Sequence, residues 1–140
     1  MFFFALVILT ACSSEKNHYD YTFNGESENW KAQYSFNGTE VWGTKDGRTT
    51  YSNDNNDEFV LTYKRSLTDF SSVKSLEYSY ETSAGGGSGT RQFDGPPTEV
   101  TFKNMGRAGN GAKISEDEVI QVNVKWNGME ESFELHASTN

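Results

Sequence analysis

A single cysteine, Cys12, stands in the 140 residues, so no disulfide can form within the chain and a Cys-and-His zinc site is short of ligands. Histidine is almost as scarce. Only His18 and His136 occur, neither in a recognisable motif, which leaves the serines without an evident base and argues against triad chemistry. Twelve Lys and Arg against twenty Asp and Glu set the net charge at -8 and the pI near 4.7. No basic run interrupts that acidity, which excludes a nucleic-acid partner bound through its phosphates. Proline appears only as Pro96-Pro97, and after residue 9 no hydrophobic run approaches the roughly 20 residues of a membrane-spanning helix.

What the chain does have begins at its N-terminus. Phe2-Phe3-Phe4-Ala5-Leu6-Val7-Ile8 is apolar, Leu9-Thr10-Ala11-Cys12 closes it with small residues and the thiol, and Ser13 to Asn17 turn polar at once. This pattern resembles the lipobox of bacterial lipoproteins. The resemblance implies that residues 1–11 are a signal peptide recognised through Leu9, Thr10 and Ala11, and that Cys12 carries a diacylglyceryl group of palmitate-type chains. No Lys or Arg precedes Phe2, so either the terminal amine alone supplies the positive charge of such a signal or translation starts further upstream. Each buried methylene contributes about 0.8 kcal/mol, and two chains together make a stable anchor where one does not. The expected arrangement is a lipidated cysteine and short tether over 12–17, then a single domain over 18–140. It would be held at the extracytoplasmic face of the cell membrane, almost on the bilayer, through lipid bound to Cys12. Net acidity predicts a domain tethered there but not adsorbed to anionic lipid.

Along the domain nearly every apolar stretch alternates with polar residues at period two, and Gly, Asn, Asp and Pro mark the breaks. Tyr19, Tyr21 and Phe23 form one such row and Trp30, Ala32, Tyr34 and Phe36 the next, with Asn24-Gly25-Glu26-Ser27 read as a turn or bulge between them. Asp46-Gly47 signals a two-residue hairpin whose register opposes Trp42 to Tyr51 and Thr44 to Thr49. Asn127-Gly128 signals another, pairing Trp126 with Met129, Val122 with Phe133 and Ile120 with Leu135. Glu131 then falls on the apolar face opposite Val124, where it is expected at the rim. Phe59, Leu61 and Tyr63, then Leu76, Tyr78 and Tyr80, then Val100 and Phe102 mark further strands, and Ser66 to Phe70 is expected to hold one helical turn. Seven or eight short strands predict an all-β fold: an antiparallel two-sheet sandwich of immunoglobulin-like size, with a small β-barrel as the alternative.

Candidate sites are few. Asn53-Asp54-Asn55-Asn56-Asp57-Glu58 is rich in hard oxygen ligands, and Asp54, Asn56, Asp57 and Glu58 are the candidate calcium ligands of what reads as an inter-strand loop. The EF-hand pattern is not met, because its sixth position requires glycine and Glu58 stands there; no other cofactor is expected. Glu116-Asp117-Glu118 reads as the solvent-facing start of the Ile120 strand. Ser83-Ala84-Gly85-Gly86-Gly87-Ser88-Gly89-Thr90 lacks the following helix of a phosphate-binding loop and reads as a mobile link, and Asn37-Gly38-Thr39 reads as a turn. Aromatic residues make up 14% of the chain, more than a core of this size needs, which nominates Trp30, Trp42 and Tyr51 as an exposed ligand-binding face. Glu26 and Glu28 beside Trp30 are the carboxylate pair a glycosidase would require.

Gly25-Glu26-Ser27-Glu28-Asn29-Trp30, Tyr78-Ser79-Tyr80-Glu81-Thr82 and Val124-Lys125-Trp126-Asn127-Gly128 together resemble small uncharacterised, membrane-anchored lipoproteins of Gram-positive bacteria, a group that lends no established activity. The expectation is a non-enzymatic binding or interaction module at the outer membrane face, with a protein or envelope-polymer partner. The alternatives are a hydrolase acting on an envelope polymer and an accessory subunit of a membrane complex.

Overall fold

The computed structural model describes residues 14–138. Cys12, expected to be lipidated, and Leu9, Thr10 and Ala11, expected to be its recognition residues, lie outside the described residues. The strands are β1 (Glu15–Glu26), β2 (Trp30–Lys45), β3 (Arg48–Tyr63), β4 (Ser75–Thr82), β5 (Gly85–Gln92), β6 (Thr101–Gly109), β7 (Ile120–Trp126) and β8 (Met129–Ala137), with a four-residue helix α1 (Leu67–Phe70). All pairings are antiparallel, in the order β5-β4-β7-β8-β1-β2-β3-β6.

The fold is all-β, and of the two arrangements expected it adopts the small barrel, not a pair of facing sheets. The reason lies at one seam. Phe23 and Asn24 of β1 pair with Ala137 and His136 of β8, and the Ser138 amide donates to the Thr22 carbonyl at 2.8 Å. That short ladder joins the β5-β4-β7-β8 half to the β1-β2-β3-β6 half, and strand twist carries the sheet round until β5 and β6 face one another. There the backbones are unpaired among the described residues. The Asn104 side chain of β6 reaches across the interior and donates to the Tyr80 hydroxyl of β4 at 3.1 Å.

Inward positions at one end of the barrel are the largest in the chain. Trp30 is fully buried and meets Tyr63, Phe70 and Trp126 edge-on, with ring centroids 5.1, 5.8 and 5.5 Å away. Helix α1 lays Phe70 into this cluster, and its first turn is capped by Ser66, whose hydroxyl accepts from the Asp69 amide at 3.2 Å. The C-terminal hairpin takes the register read from Asn127-Gly128, pair for pair, through Ile120 and Leu135.

Glu131 is the apolar-face exception in that hairpin. It accepts from the Ser27 hydroxyl at 2.5 Å, from the Asn29 amide at 2.9 Å and from the Asn29 side chain at 2.6 Å, so it holds the β1–β2 turn against β8. Burial opposes its charge, but these hydrogen bonds outweigh that cost and hold the carboxyl below the usual glutamate range. A depressed carboxyl stabilises the fold above its unfolded value and loses that contribution as pH falls through the folded one. Glu131→Gln is therefore expected to flatten the fall in stability below about pH 4.5 while costing about 2 kcal/mol at neutral pH. Urea titrations of both proteins across that range check it, and parallel acid limbs would refute the assignment.

Candidate functional site at the open end of the barrel

The other end of the barrel is not closed by apolar side chains. Strands β2 and β3 pair over sixteen positions each, from Trp30↔Tyr63 to Lys45↔Arg48, and β1 follows β2 as far as Glu15↔Trp42. These three strands outrun β4, β7 and β8 and project as a curved sheet whose inner face continues the barrel wall. Asp46 and Gly47, at φ 51° and 76°, form the left-handed tip of the hairpin that the sequence predicts, with Trp42 opposite Tyr51 and Thr44 opposite Thr49.

Trp42 and Tyr51 lie on that inner face beyond the rim, 44% and 43% exposed, with ring centroids 4.5 Å apart. A hydrogen-bonded frame fixes them. The Tyr51 hydroxyl donates to Glu40 Oε2 at 3.1 Å and accepts from Asn53 Nδ2 at 2.9 Å, while Lys113 Nζ sits 3.5 Å from Glu40 Oε1 and 4.7 Å over the Tyr19 ring. Burial opposes the Lys113 charge, yet Tyr21 and the Glu40 carboxylate compensate and hold the ammonium above the usual lysine range.

Lys113 belongs to residues 110–119, which run from the end of β6 across the open end to the start of β7. Asn110 exchanges hydrogen bonds with the Asn53 backbone in both directions, Gly111 accepts from Asn53 Nδ2 at 2.9 Å, and Ile114 drops into the core fully buried. Glu118 receives both the amide and the hydroxyl of Ser83, tying the far end of this strap to the β4–β5 turn.

Beneath the strap the inward residues of β3 are polar. Asn53 and Asn55 are buried, and Asp57 accepts from the Tyr34 hydroxyl at 2.8 Å. Glycines on neighbouring strands make room for these tips: a methyl at Gly38 would meet the Tyr19 hydroxyl, one at Gly106 the Asp57 carboxylate and one at Gly87 the Tyr80 hydroxyl. Burial raises the Tyr19, Tyr34 and Tyr80 phenols above the usual tyrosine range, reinforced at Tyr34 by the hydrogen bond to Asp57. Among the described residues, Tyr19 Oη, Asn53 Oδ1, Asn55 Nδ2 and Asp57 Oδ1 are buried without a protein hydrogen-bond partner.

Several expectations change as a result. Asn53 to Glu58 is the middle of a strand, paired with β2 throughout and with β6 from Asp54 onward, not a loop. Alternation sends Asp57 inward and Asp54, Asn56 and Glu58 outward, so the four candidate calcium ligands cannot converge on one ion. Trp30 is lost as a ligand-binding residue, because its ring is the centre of the core. Glu26 and Glu28 instead face solvent, 3.4 Å from Lys64 and 3.9 Å from Arg65. The glycine-rich link is strand β5, Asn37-Gly38-Thr39 lies inside β2, and Asn24-Gly25-Glu26 continues β1. The expected tether also shortens, since β1 already begins at Glu15. Glu116 and Asp117 line, with Asp20, a cleft of about 560 Å³ where β1 and β8 diverge. Of the nominated aromatics Trp42 and Tyr51 remain. Glu40, Asn53 and Lys113, which sequence reasoning missed, complete their surroundings. Only the hairpin register through Asp46-Gly47 pointed towards Glu40 and Asn53, which it sets opposite one another.

Comparison with protein-family models, with curated proteins and with solved structures finds no match to this chain.

Proposed function

We propose that this chain is a lipid-anchored extracytoplasmic lipoprotein whose folded domain is a non-enzymatic binding module at the outer face of the membrane, working through the open end of its barrel. The observation that carries the reading is the exposed Trp42–Tyr51 pair braced by Glu40, Asn53 and Lys113. Two large rings of which nearly half stays in water are costly to hold exposed unless something covers them, and a rigid frame lowers the entropy lost when that happens. The rings supply flat apolar area, and a hydroxyl, a carboxylate and an ammonium lie at their edge. Such a surface suits an amphipathic partner, and its mode of action is passive recognition. The anchoring half of the reading rests on the Leu9-Thr10-Ala11-Cys12 motif alone. Mass spectrometry of the N-terminal peptide of protein from its natural host tests it: a diacylglyceryl cysteine as the first residue is expected, and an unmodified Cys12 thiol in a longer chain would overturn it.

A further inference from the structure

We propose that the Trp42–Tyr51 face and the β2–β3 tip dock on the bilayer surface itself, entering the headgroup layer beside the anchor. The inference rests on the lipid-anchor reading above and names the partner of that same surface. Its first support is register. Glu15 pairs with Trp42, so the chain enters the fold beside the aromatic pair. Cys12 precedes Glu15 by three residues, a reach of about 10 Å at full extension. From Trp42, strand β2 runs on for three residues to Lys45 in the direction from which β1 arrives, also about 10 Å. An anchor that close cannot hold the domain away from the membrane while leaving the tip behind in solvent.

The second support is chemistry. Trp and Tyr favour the boundary between hydrocarbon and water, where the ring is apolar and the polar edge stays wet. Tyr51 already keeps its hydroxyl bonded to Glu40 and Asn53 while its ring remains accessible. The third is charge. Lys16, Lys45 and Arg48 are exposed at this end against Glu15 and Asp46, which leaves it weakly positive in a chain of net charge -8. Acidity of the whole molecule orients the domain: the acidic remainder is repelled by anionic lipid and the tip is not. The domain that its overall charge predicts to hang free is thus seated by one corner.

The test uses the acylated protein from its host, reconstituted into vesicles of phosphatidylcholine with and without phosphatidylglycerol, some carrying a bromine quencher at headgroup depth. Trp30 and Trp126 are buried, so the difference between wild type and Trp42→Phe isolates the Trp42 emission. A blue shift and a marked loss of that emission over quencher-bearing vesicles are expected, with Lys45→Glu/Arg48→Glu weakening both on phosphatidylglycerol and little on phosphatidylcholine alone. An acylated protein whose Trp42 emission ignores the vesicles overturns the proposal and leaves the anchor standing. A response instead to soluble cell-wall glycan fragments would assign the face to a sugar. An unmodified thiol overturns the anchor, and this inference with it.

Discussion

Trp30→Ala is expected to destabilise the domain by about 3–5 kcal/mol, the range for truncating a buried aromatic, and so to bring it close to unfolding at room temperature. The indole is fully buried and touches the rings of Tyr63, Phe70 and Trp126, which come from β3, α1 and β7. Of these, β3 and β7 belong to opposite halves of the sheet order, so the cavity would open between the two halves of the barrel, where collapse is hardest. Trp30→Phe is expected to cost much less, and for a specific reason. Phenylalanine keeps a ring in the cluster, so only a small cavity opens, and that loss is partly offset because it removes the Trp30 Nε1 donor, which among the described residues is buried without an acceptor. Urea denaturation with tryptophan fluorescence and circular dichroism measures both. Equal losses for the two variants would show that the volume removed does not set the cost, and a small loss for alanine would contradict the placement of Trp30 at the centre of the core.

Legibility in the sequence follows from where the interior is apolar. The hairpins at Asp46-Gly47 and Asn127-Gly128 take the predicted registers because their turn residues demand positive φ, with Asp46 and Asn127 at 51° and 45° and the glycines at 76° and 79°. Alternation then identifies Val122, Phe133, Ile120 and Leu135 as inward without ambiguity. The same logic fails along Asn53, Asn55 and Asp57, which face inward yet are polar, so a continuous strand reads as a solvated acidic loop. It fails again at β5, where Gly87 and Gly89 stand beneath the Tyr80 and Tyr78 hydroxyls and offer no side chain to alternate. Both failures concern the polar part of the barrel interior. There the tip of an aromatic or amide fills the space over a glycine on the next strand, and single-strand periodicity cannot show a fit made by two strands together.

The choice between sandwich and barrel was out of reach for a related reason, since it turns on the two-residue ladder between β1 and β8 and not on any strand's composition. Trp42 and Tyr51 were legible as a pair because their register is local. Their exposure was not, because it depends on β2 and β3 outrunning β4, β7 and β8. Lys113 completes the frame from a strap more than seventy residues away in sequence, and only the closed fold brings its ammonium to Glu40.

Gly25→Ala is expected to break the barrel at its seam. Gly25 is an ordinary extended residue, so its glycine is required by contact and not by backbone angle. A methyl there would collide with the Glu134 carbonyl and come within 2.9 Å of Leu135 Cδ2, and the carbonyl is backbone that cannot swing aside. Relief demands that β1 move away from β8, and among the described residues the backbones of those strands are paired only at Phe23↔Ala137 and Asn24↔His136, extended by the Ser138 amide. Overpacking of this kind costs about 1–3 kcal/mol, and here the strain falls on the short β1–β8 ladder that joins the two halves. Hydrogen exchange should therefore accelerate first at Asn24, His136 and Ser138, while the Ile120 to Leu135 hairpin keeps its protection. Gly95→Ala, where a methyl would meet nothing within 4 Å, serves as the control and is expected to be silent. Uniform acceleration across all strands would mean that β1 and β8 do not form a separable seam, and an unperturbed Gly25→Ala would mean that they do not approach as closely as the register requires.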